Sequence, residues 1–301
     1  MNPVATWNLV DDLRQMTAYP FMVNALRAGT IVAVVAGAVG WMMVLRRESF
    51  AGHTLAVVGF PGAAAATWLG ISSGSGYFVA CIGAALIVGA LPAAVRGRGS
   101  TERSAVIGIV QAFALAAGML FVSLYKGFLS GVTNLLFGTI AGVSADQVNV
   151  LLAAAVPCLV LLVVLGRPLL WASIDPGSAA AHGVPVRSVT VLFMLLLGVA
   201  AAGASQVTGS LLVFALLVAP AAAAHQLTSH PGLGVAASIV IALVVTWVGM
   251  GFAYFSPYPI GFWVASFAFG VYLVGLAIRT LLDRRERRVA RPDRTAVEVM
   301  A

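Results

Sequence analysis

Charged residues are scarce in this sequence. Of its 301 residues, 9% are charged and 61% are hydrophobic, whereas a soluble domain has about 25% charged residues. So few charges cannot cover a surface that faces water, which excludes a soluble globular protein. Most of the surface must face lipid. We therefore predict an all-α fold, a polytopic helical bundle that is integral to the membrane.

Lysine is nearly absent, and with it one class of nucleotide site. Lys126 is the only lysine, and no G-x-x-x-x-G-K-[ST] stretch occurs, so the chain cannot bind ATP through a P-loop. The motif H-E-x-x-H is missing as well. Together these absences argue against an enzyme in the membrane, and we expect no catalytic residue.

Carboxylates are missing from the middle of every apolar segment. Acidic side chains inside spans are typical of proton- or sodium-coupled carriers. All ten acidic residues fall in a terminus or a connection: Asp11, Asp12, Glu48, Glu102, Asp146, Asp175, Asp283, Glu286, Asp293 and Glu298. This distribution weakens an ion-coupled carrier and favours a transport path whose energy comes from elsewhere.

Only two cysteines are present, and the basic residues are unevenly placed. Cys81 and Cys158 lie inside apolar runs, which indicates packing residues and not a disulfide or a metal pair. Of the 17 basic residues, seven lie in the last 23 positions. This pattern is typical of a solvated tail. No basic groove with interleaved aromatic residues is visible, so we expect no nucleic-acid partner.

Apolar runs long enough to span a bilayer recur along the chain, since a spanning helix needs about 20 apolar residues. Nine candidates lie at 21–45, 50–71, 77–95, 104–125, 147–166, 189–204, 209–227, 233–255 and 258–282. The sixth and seventh are short, with only 204–208 between them. If one of them is re-entrant or broken, eight spans remain, so the sequence predicts eight or nine.

The basic residues predict an orientation, because cytoplasmic loops are enriched in Lys and Arg. With Arg46 and Arg47 inside, alternation leaves only Arg14, Arg27 and Lys126 outside, so 17 − 3 = 14 basic residues are cytoplasmic. The N-terminus is then outside and the C-terminus inside. Three regions follow: an extracytoplasmic segment at 1–20, a transmembrane domain at 21–282, and a basic cytoplasmic tail at 283–301.

Two connections have helical signals of their own. Residues 126–146 are outside and moderately apolar, and we expect a short interfacial helix there. Residues 167–188 are inside. In that loop Asp175 can cap a short helix with Pro176 in its first turn, and Gly183 can end it. Because so short a helix is unstable alone, it must lie on the bundle or on another protein.

Histidine and proline are the remaining candidates for chemistry within the spans. Histidine is the commonest transition-metal ligand, but a lone histidine near a helix end is more often an interfacial hydrogen-bonding residue. His53 begins the second span, and His225 ends the seventh. Pro61 and Pro220 should kink or unwind their helices. Freed carbonyls there can line a path, or the kinks can serve packing alone.

Four stretches, in order and in register, resemble a known family. They are RRESFAGHTLAVVGFPG (46–62), NLLFGTIAGVSADQV (134–148), IDPGSAAAHGVPVRSVTVL (174–192) and QVTGSLLVFALLVAPAAAAH (206–225). Together they resemble the ABC-3 family, the permease subunits of zinc, manganese and iron ABC importers. The similarity covers most of residues 21–280.

This resemblance implies a multi-pass cell-membrane permease that forms a homodimer around the translocation path. The chain itself would bind no cofactor. ATP would act through ATPase subunits on the cytoplasmic face, and a metal-binding protein would dock outside. The path residues would be His53, Val57, Phe60 and Pro61. The residues that couple to the ATPase would be Asp175, Pro176, Ala180, His182 and Gly183.

The resemblance carries over a metal site only in part. The family's second segment commonly reads G-D-x-L-x-H, but His53 stands at the aspartate position and Val57 at the histidine position. Two His53 residues of a dimer could form a transient metal site. Imidazole suits zinc better than manganese, which favours zinc as the transported ion. His225, where many relatives carry arginine, is a candidate gate ligand or an anchor of its helix.

Two other functions stay open at this point. One is the permease of a related importer for a larger cargo, such as cobalamin or a metal chelate. The other is a secondary carrier or channel that needs no ATPase, against which the missing intramembrane carboxylates argue.

Overall fold

The computed structural model describes residues 8–90, 100–125, 143–210 and 213–289. Within these ranges the chain is helical, without strands. Its helices are α1 (Leu9–Thr17), α2 (Pro20–Leu45), α3 (Ser49–Trp68), α4 (Ser73–Ala90), α5 (Ser100–Leu124), α6 (Ala145–Ile174), α7 (Pro176–Ala181), α8 (Val186–Thr208), α9 (Val213–Leu227), α10 (Pro231–Phe255) and α11 (Ile260–Val289).

Each of the nine predicted spans coincides with a helix, and the fold is the predicted integral membrane bundle. Seven of the described helices are long and apolar enough to cross a membrane. The other two predicted spans are α3, with 20 residues, and the shorter α9, with 15. Many large apolar side chains point outward, among them Phe113 on α5 and Val163 on α6. Such a surface fits a lipid environment.

Helix α2 lies at the centre of the bundle. It packs against α6, α8, α9 and α10, and 72% of its most apolar window is buried. Around it, α3 packs between α4 and α5, and α8 packs on α4. The core therefore brings the first half of the chain into contact with the second half, and α5 and α6 lie at the periphery.

Helices α3 and α4 meet backbone to backbone. A Cβ atom at Gly62 would overlap the side chain of Ala80 and the carbonyl oxygen of Gly76, and one at Gly76 would overlap the carbonyl oxygen of Gly62. Glycine at both positions lets the two helices approach this closely. The contact fixes α3 firmly, and α3 carries the predicted path residues.

The prolines do not unwind their helices. Helix α3 continues through Pro61 and α9 continues through Pro220, which corrects the unwound state allowed by the sequence. An interior proline removes one backbone hydrogen bond, but packing on both sides of the residue can hold the helix together. Pro61 and Pro220 are both buried, so neighbouring helices support them.

Several helix boundaries differ from the expected ones. Helix α6 continues past 166 to Ile174, and α8 continues through 204–208, where a break was expected. The interruption comes at Gly209, whose φ of 78° ends α8. Both extensions contain buried residues, Leu169 and Ala172 in α6 and Ala204 and Val207 in α8, so tertiary packing can extend the helices there. The interfacial helix expected at 126–146 falls largely on 126–142, outside the described residues.

Candidate translocation path and coupling segment

His53 lies near the start of α3 and is half-buried. Its ring meets Phe214 of α9 edge to face, with the ring centroids 4.9 Å apart. The Nδ1 atom is buried and has no hydrogen-bond partner within the described ranges. Buried polar atoms are normally paired. His53 therefore presents an imidazole nitrogen that no neighbouring side chain or backbone group occupies.

The other three predicted path residues are apolar and enclosed within the chain. Val57 and Phe60 are 4% and 3% exposed, and Pro61 is also buried. Helix α5 closes over them at Gly118, where a Cβ atom would lie 2.9 Å from the Phe60 ring and 3.1 Å from Pro61. This part of α3 thus supplies packing surface and a narrow apolar stretch, without metal ligands.

The sequence alone did not predict the polar pair of Thr54 and Gln111 beside His53. The Thr54 hydroxyl, fully buried, donates a hydrogen bond of 2.9 Å to Oε1 of Gln111 on α5. The signal was present, because Gln111 interrupts an otherwise apolar span. The hydrogen bond ties α5, one of the least buried helices, to the path helix α3.

No ready-made metal site is found in the described part of the chain. It holds no group of three or more His, Cys, Asp or Glu residues that could bind an ion. The two cysteines pack as predicted: Cys81 donates to the carbonyl of Leu55 and Cys158 to that of Leu196. Neither thiol joins His53, so one chain offers a single imidazole and no multi-ligand site.

The remaining histidines lie elsewhere. His225 stacks on Trp41 of α2, with centroids 4.8 Å apart, and its Nε2 lies 3.1 Å from the Trp41 carbonyl oxygen. This contact anchors α9 to α2, which is one of the two roles considered for His225. His182 follows α7, and His230 precedes α10. The structure does not bring these side chains together with His53.

The short loop helix forms as its capping residues predict. The carboxylate of Asp175 accepts a hydrogen bond of 3.0 Å from the Ser178 N–H, and Pro176 is the first helical residue of α7. At the other end Gly183 has a φ of 84°. The Val184 N–H then bonds the Ala179 carbonyl, which completes a Schellman motif.

Helix α7 attaches to the bundle by one narrow face. Ala179 is fully buried, whereas the residues predicted to couple to an ATPase are all exposed: Asp175, Pro176, Ala180, His182 and Gly183. The His182 ring lies 5.0 Å from that of Trp171, at the end of α6. The loop therefore presents a preformed, capped helix whose outer face is open to a partner.

Arg46, which the pattern of basic residues places on the cytoplasmic side, is largely shielded from solvent. Its guanidinium pairs with the Glu48 carboxylate at 3.2 Å, and the two side chains are 8% and 5% exposed. Its neighbour Arg47 is exposed. The sequence could not separate the two arginines, because only the packing of α6 and α8 over this corner buries one of them.

Comparisons with known proteins agree with the fold. The chain is 30% identical over 223 residues to a manganese transport system membrane protein, MntC, of Halalkalibacterium halodurans, covering 74% of this chain and 75% of that one. It is 31% identical to the manganese import system permease protein ScaB of Streptococcus parasanguinis, covering 72% and 74%. A chain of PsaBC from Streptococcus pneumoniae, solved with Fab, superposes with a TM-score of 0.79 at 25% identity, covering 89% and 95%.

The family model extends over nearly the whole membrane domain. The model described as the ABC 3 transport family matches residues 18–279, the region that contains α3, with the predicted path residues, and α7, with the predicted coupling residues. The resemblance seen in the four sequence stretches is thereby confirmed. The chain is a membrane transport subunit without catalytic activity, and it belongs to the ABC 3 transport family.

Proposed function

We propose that this chain is the permease subunit of an ATP-driven importer for a divalent transition-metal ion, with a separate ATPase that docks on α7. The observation that carries the proposal is the geometry of α7. It is capped at both ends, packs on the bundle through the buried Ala179, and is exposed at Asp175, Pro176 and Ala180. A rigid helix between two membrane helices is suited to transmit a conformational change from a partner protein to the membrane domain.

The proposed cargo is manganese or zinc. Relatives named as manganese permeases support manganese, whereas the imidazole of His53 suits zinc better by ligand chemistry. The Nδ1 atom of His53, which has no hydrogen-bond partner in the described ranges, fits a ligand that holds the ion transiently. A translocation path must release its cargo, so a weak site serves it better than a tight site with several ligands. The described residues of one chain contain no such multi-ligand group.

The proposed assembly contains two copies of this chain with the path between them. A single copy offers one imidazole, and a pair of His53 residues would offer a two-nitrogen site. The α7 end would be cytoplasmic and the N-terminus outside, as the basic residues favour. A metal-binding protein would then deliver the ion at the opposite face. Native mass spectrometry of the purified complex would test the two-copy stoichiometry.

Substitution of Asp175 tests the coupling role. In Asp175→Ala the cap is lost, at a cost of roughly 0.5–2 kcal/mol to α7, so we expect ATP-driven uptake into proteoliposomes to fall several-fold. Asp175→Asn is the matched control, since asparagine caps equally well. Gly183→Val strains the left-handed turn and should behave like the alanine variant. Normal uptake by both Asp175→Ala and Gly183→Val would contradict the coupling assignment.

Uptake of radioactive manganese and zinc tests the cargo. Cells with the gene should accumulate one of the two ions faster than cells without it. Reconstituted uptake should require both the ATPase and ATP. Uptake by this chain alone would overturn the proposal in favour of a secondary carrier. Uptake of cobalamin or a metal chelate, with neither free ion, would overturn the proposed cargo.

A further inference from the structure

The corner between α2 and α3 holds a buried guanidinium with an unusually full set of partners. Arg46 Nε and Nη2 bond the two oxygens of Glu48, at 3.2 and 3.3 Å. Its Nη1 donates to the Ser173 hydroxyl at 3.1 Å, and Nη2 donates to the Thr190 hydroxyl at 3.2 Å. The guanidinium carbon lies 5.2 Å from the centroid of the Phe193 ring.

The partners of Arg46 flank the coupling helix on both sides. Ser173 lies in the last turn of α6, just before the Asp175 cap of α7. Thr190 lies near the start of α8, just after the loop that follows α7. One side chain from the α2–α3 corner therefore holds both ends of the segment that contains α7.

The corner itself is shaped to hold Arg46 in place. Helix α2 ends in a Schellman motif, with the Glu48 N–H bonded to the Met43 carbonyl and the Arg47 N–H bonded to that of Val44. Arg47 takes the left-handed conformation at φ 55°, a position that usually requires glycine. This turn brings Glu48 back beside Arg46, so the carboxylate orients the guanidinium toward α6 and α8.

Stability alone does not account for such a group. A buried ion pair is often no more stabilising than well-packed apolar residues of similar volume. A guanidinium has one property that apolar residues lack: its planar fork of donors fixes several partners in one geometry. What the arginine adds at this corner is therefore a fixed relation between four helices, α2, α3, α6 and α8.

We propose that Arg46, oriented by Glu48, is a positioning residue that links both flanks of α7 to the α2–α3 corner. Movement of α7 would thereby reach α3 and the residues around His53. This inference rests on the proposed function, because it assumes that an ATPase moves α7. It assigns to the corner a role in energy coupling, beyond holding the fold.

The test uses the complete importer in proteoliposomes, with Mn²⁺ or Zn²⁺ as the probe, whichever the wild-type complex transports. The measured quantity is the number of ions transported per ATP hydrolysed, together with the yield of assembled complex. In Arg46→Lys the charge opposite Glu48 remains, but a lysine ammonium cannot reproduce the planar fork. We expect transport per ATP to fall about fivefold or more, the range of typical coupling energies, while the complex still assembles and hydrolyses ATP.

A second variant acts on the partners instead. Ser173→Ala with Thr190→Val removes the links to α6 and α8 and keeps the ion pair with Glu48. It should lower transport per ATP by a similar factor. Arg47→Lys is the matched control, because Arg47 is exposed, and its ratio should equal that of the wild type.

A wild-type ratio in Arg46→Lys would overturn the inference, and so would a parallel loss of transport and ATP hydrolysis at normal complex yield. If the double variant fails to assemble, the result for Arg46→Lys decides alone. Failure of this inference can be told apart from failure of the proposed function. If only the role of Arg46 is wrong, wild-type uptake still requires ATP and the ATPase. If the proposed function is wrong, wild-type uptake requires neither.

Discussion

Arg46 and His53 are two polar side chains on one short stretch of the chain, and the structure treats them in opposite ways. Arg46 is almost fully buried and has hydrogen bonds to Glu48, Ser173 and Thr190. His53 is half-buried, and its Nδ1 has no partner in the ranges that the structure describes. Judged by exposure alone, Arg46 is the more unusual residue, because its charged side chain is the more deeply buried of the two.

The difference shows that hydrogen bonding, more than burial, separates the roles of polar groups in this bundle. A polar group surrounded by lipid-facing helices is expensive unless its partners are inside the protein. Arg46 has such partners, so it fixes structure. The Nδ1 atom of His53 lacks one within the described ranges, which fits the transient ligand role proposed for this residue.

The largest expected effect comes from breaking the satisfied corner. Glu48→Ala leaves the Arg46 guanidinium buried without its carboxylate, so the free energy of unfolding should fall by about 3–5 kcal/mol. Denaturant unfolding in detergent micelles measures the change. In the control Arg46→Met with Glu48→Leu, neither charge remains and most of the loss should be recovered. A loss of less than about 1 kcal/mol in the single variant would show that the Arg46 guanidinium does not depend on Glu48 as its partner.

A smaller effect is expected for the satisfied pair beside His53. Thr54→Val leaves Oε1 of Gln111 without its donor, which should lower the free energy of unfolding by about 1 kcal/mol. In the double variant Thr54→Val with Gln111→Leu both polar groups are gone, and stability should return close to that of the wild type. If the double variant is less stable than the single one, the pair has a role that the contact does not explain.

His53→Ala should have little effect on stability and a clear effect on uptake. Apart from the Phe214 ring contact, worth about 0.5–1.5 kcal/mol, the side chain has no hydrogen bond to lose within the described ranges. Uptake of the transported ion should fall several-fold at unchanged complex yield. His230→Ala, at an exposed histidine outside the path, is the matched control. Normal uptake by His53→Ala over a range of metal concentrations would remove His53 from the path.

The smallest effect is expected at the neighbour of Arg46. In Arg47→Gly the left-handed backbone, which costs a non-glycine residue roughly 1–2 kcal/mol, is relieved. The greater freedom of glycine in the unfolded chain offsets roughly 0.5–1 kcal/mol of this gain. The midpoint of thermal unfolding should therefore stay the same or rise slightly. A clear fall would mean that the exposed Arg47 side chain makes a contribution of its own.

Local signals in the sequence predicted much of the fold and the coupling loop. Apolar runs near 20 residues located nine of the described helices, because a bilayer sets the length of the helix that crosses it. The α7 helix followed from Asp175, Pro176 and Gly183, because capping depends on a few neighbouring residues and their backbone conformations. These features need no information from distant parts of the chain.

Long-range contacts could not be predicted in the same way. Arg46 meets Ser173 and Thr190, and Thr54 meets Gln111, across large separations in sequence. The extensions of α6 to Ile174 and of α8 to Thr208 likewise depend on packing against other helices. No local pattern distinguishes the buried Arg46 from the exposed Arg47 beside it.

By itself the sequence determined a lipid-facing bundle of helices and a capped loop helix, since composition, segment length and capping act locally. The resemblance of four stretches to a known family also indicated membership of a transport family, which the family match confirmed. Only the tertiary structure decided which polar groups are satisfied and which stay open. That distinction depends on helices far apart in the chain, whose side chains meet once α2 is enclosed by its neighbours. In a bundle with so few polar groups, their pairing fixes Arg46 between several helices and leaves the Nδ1 atom of His53 without a partner in the described ranges.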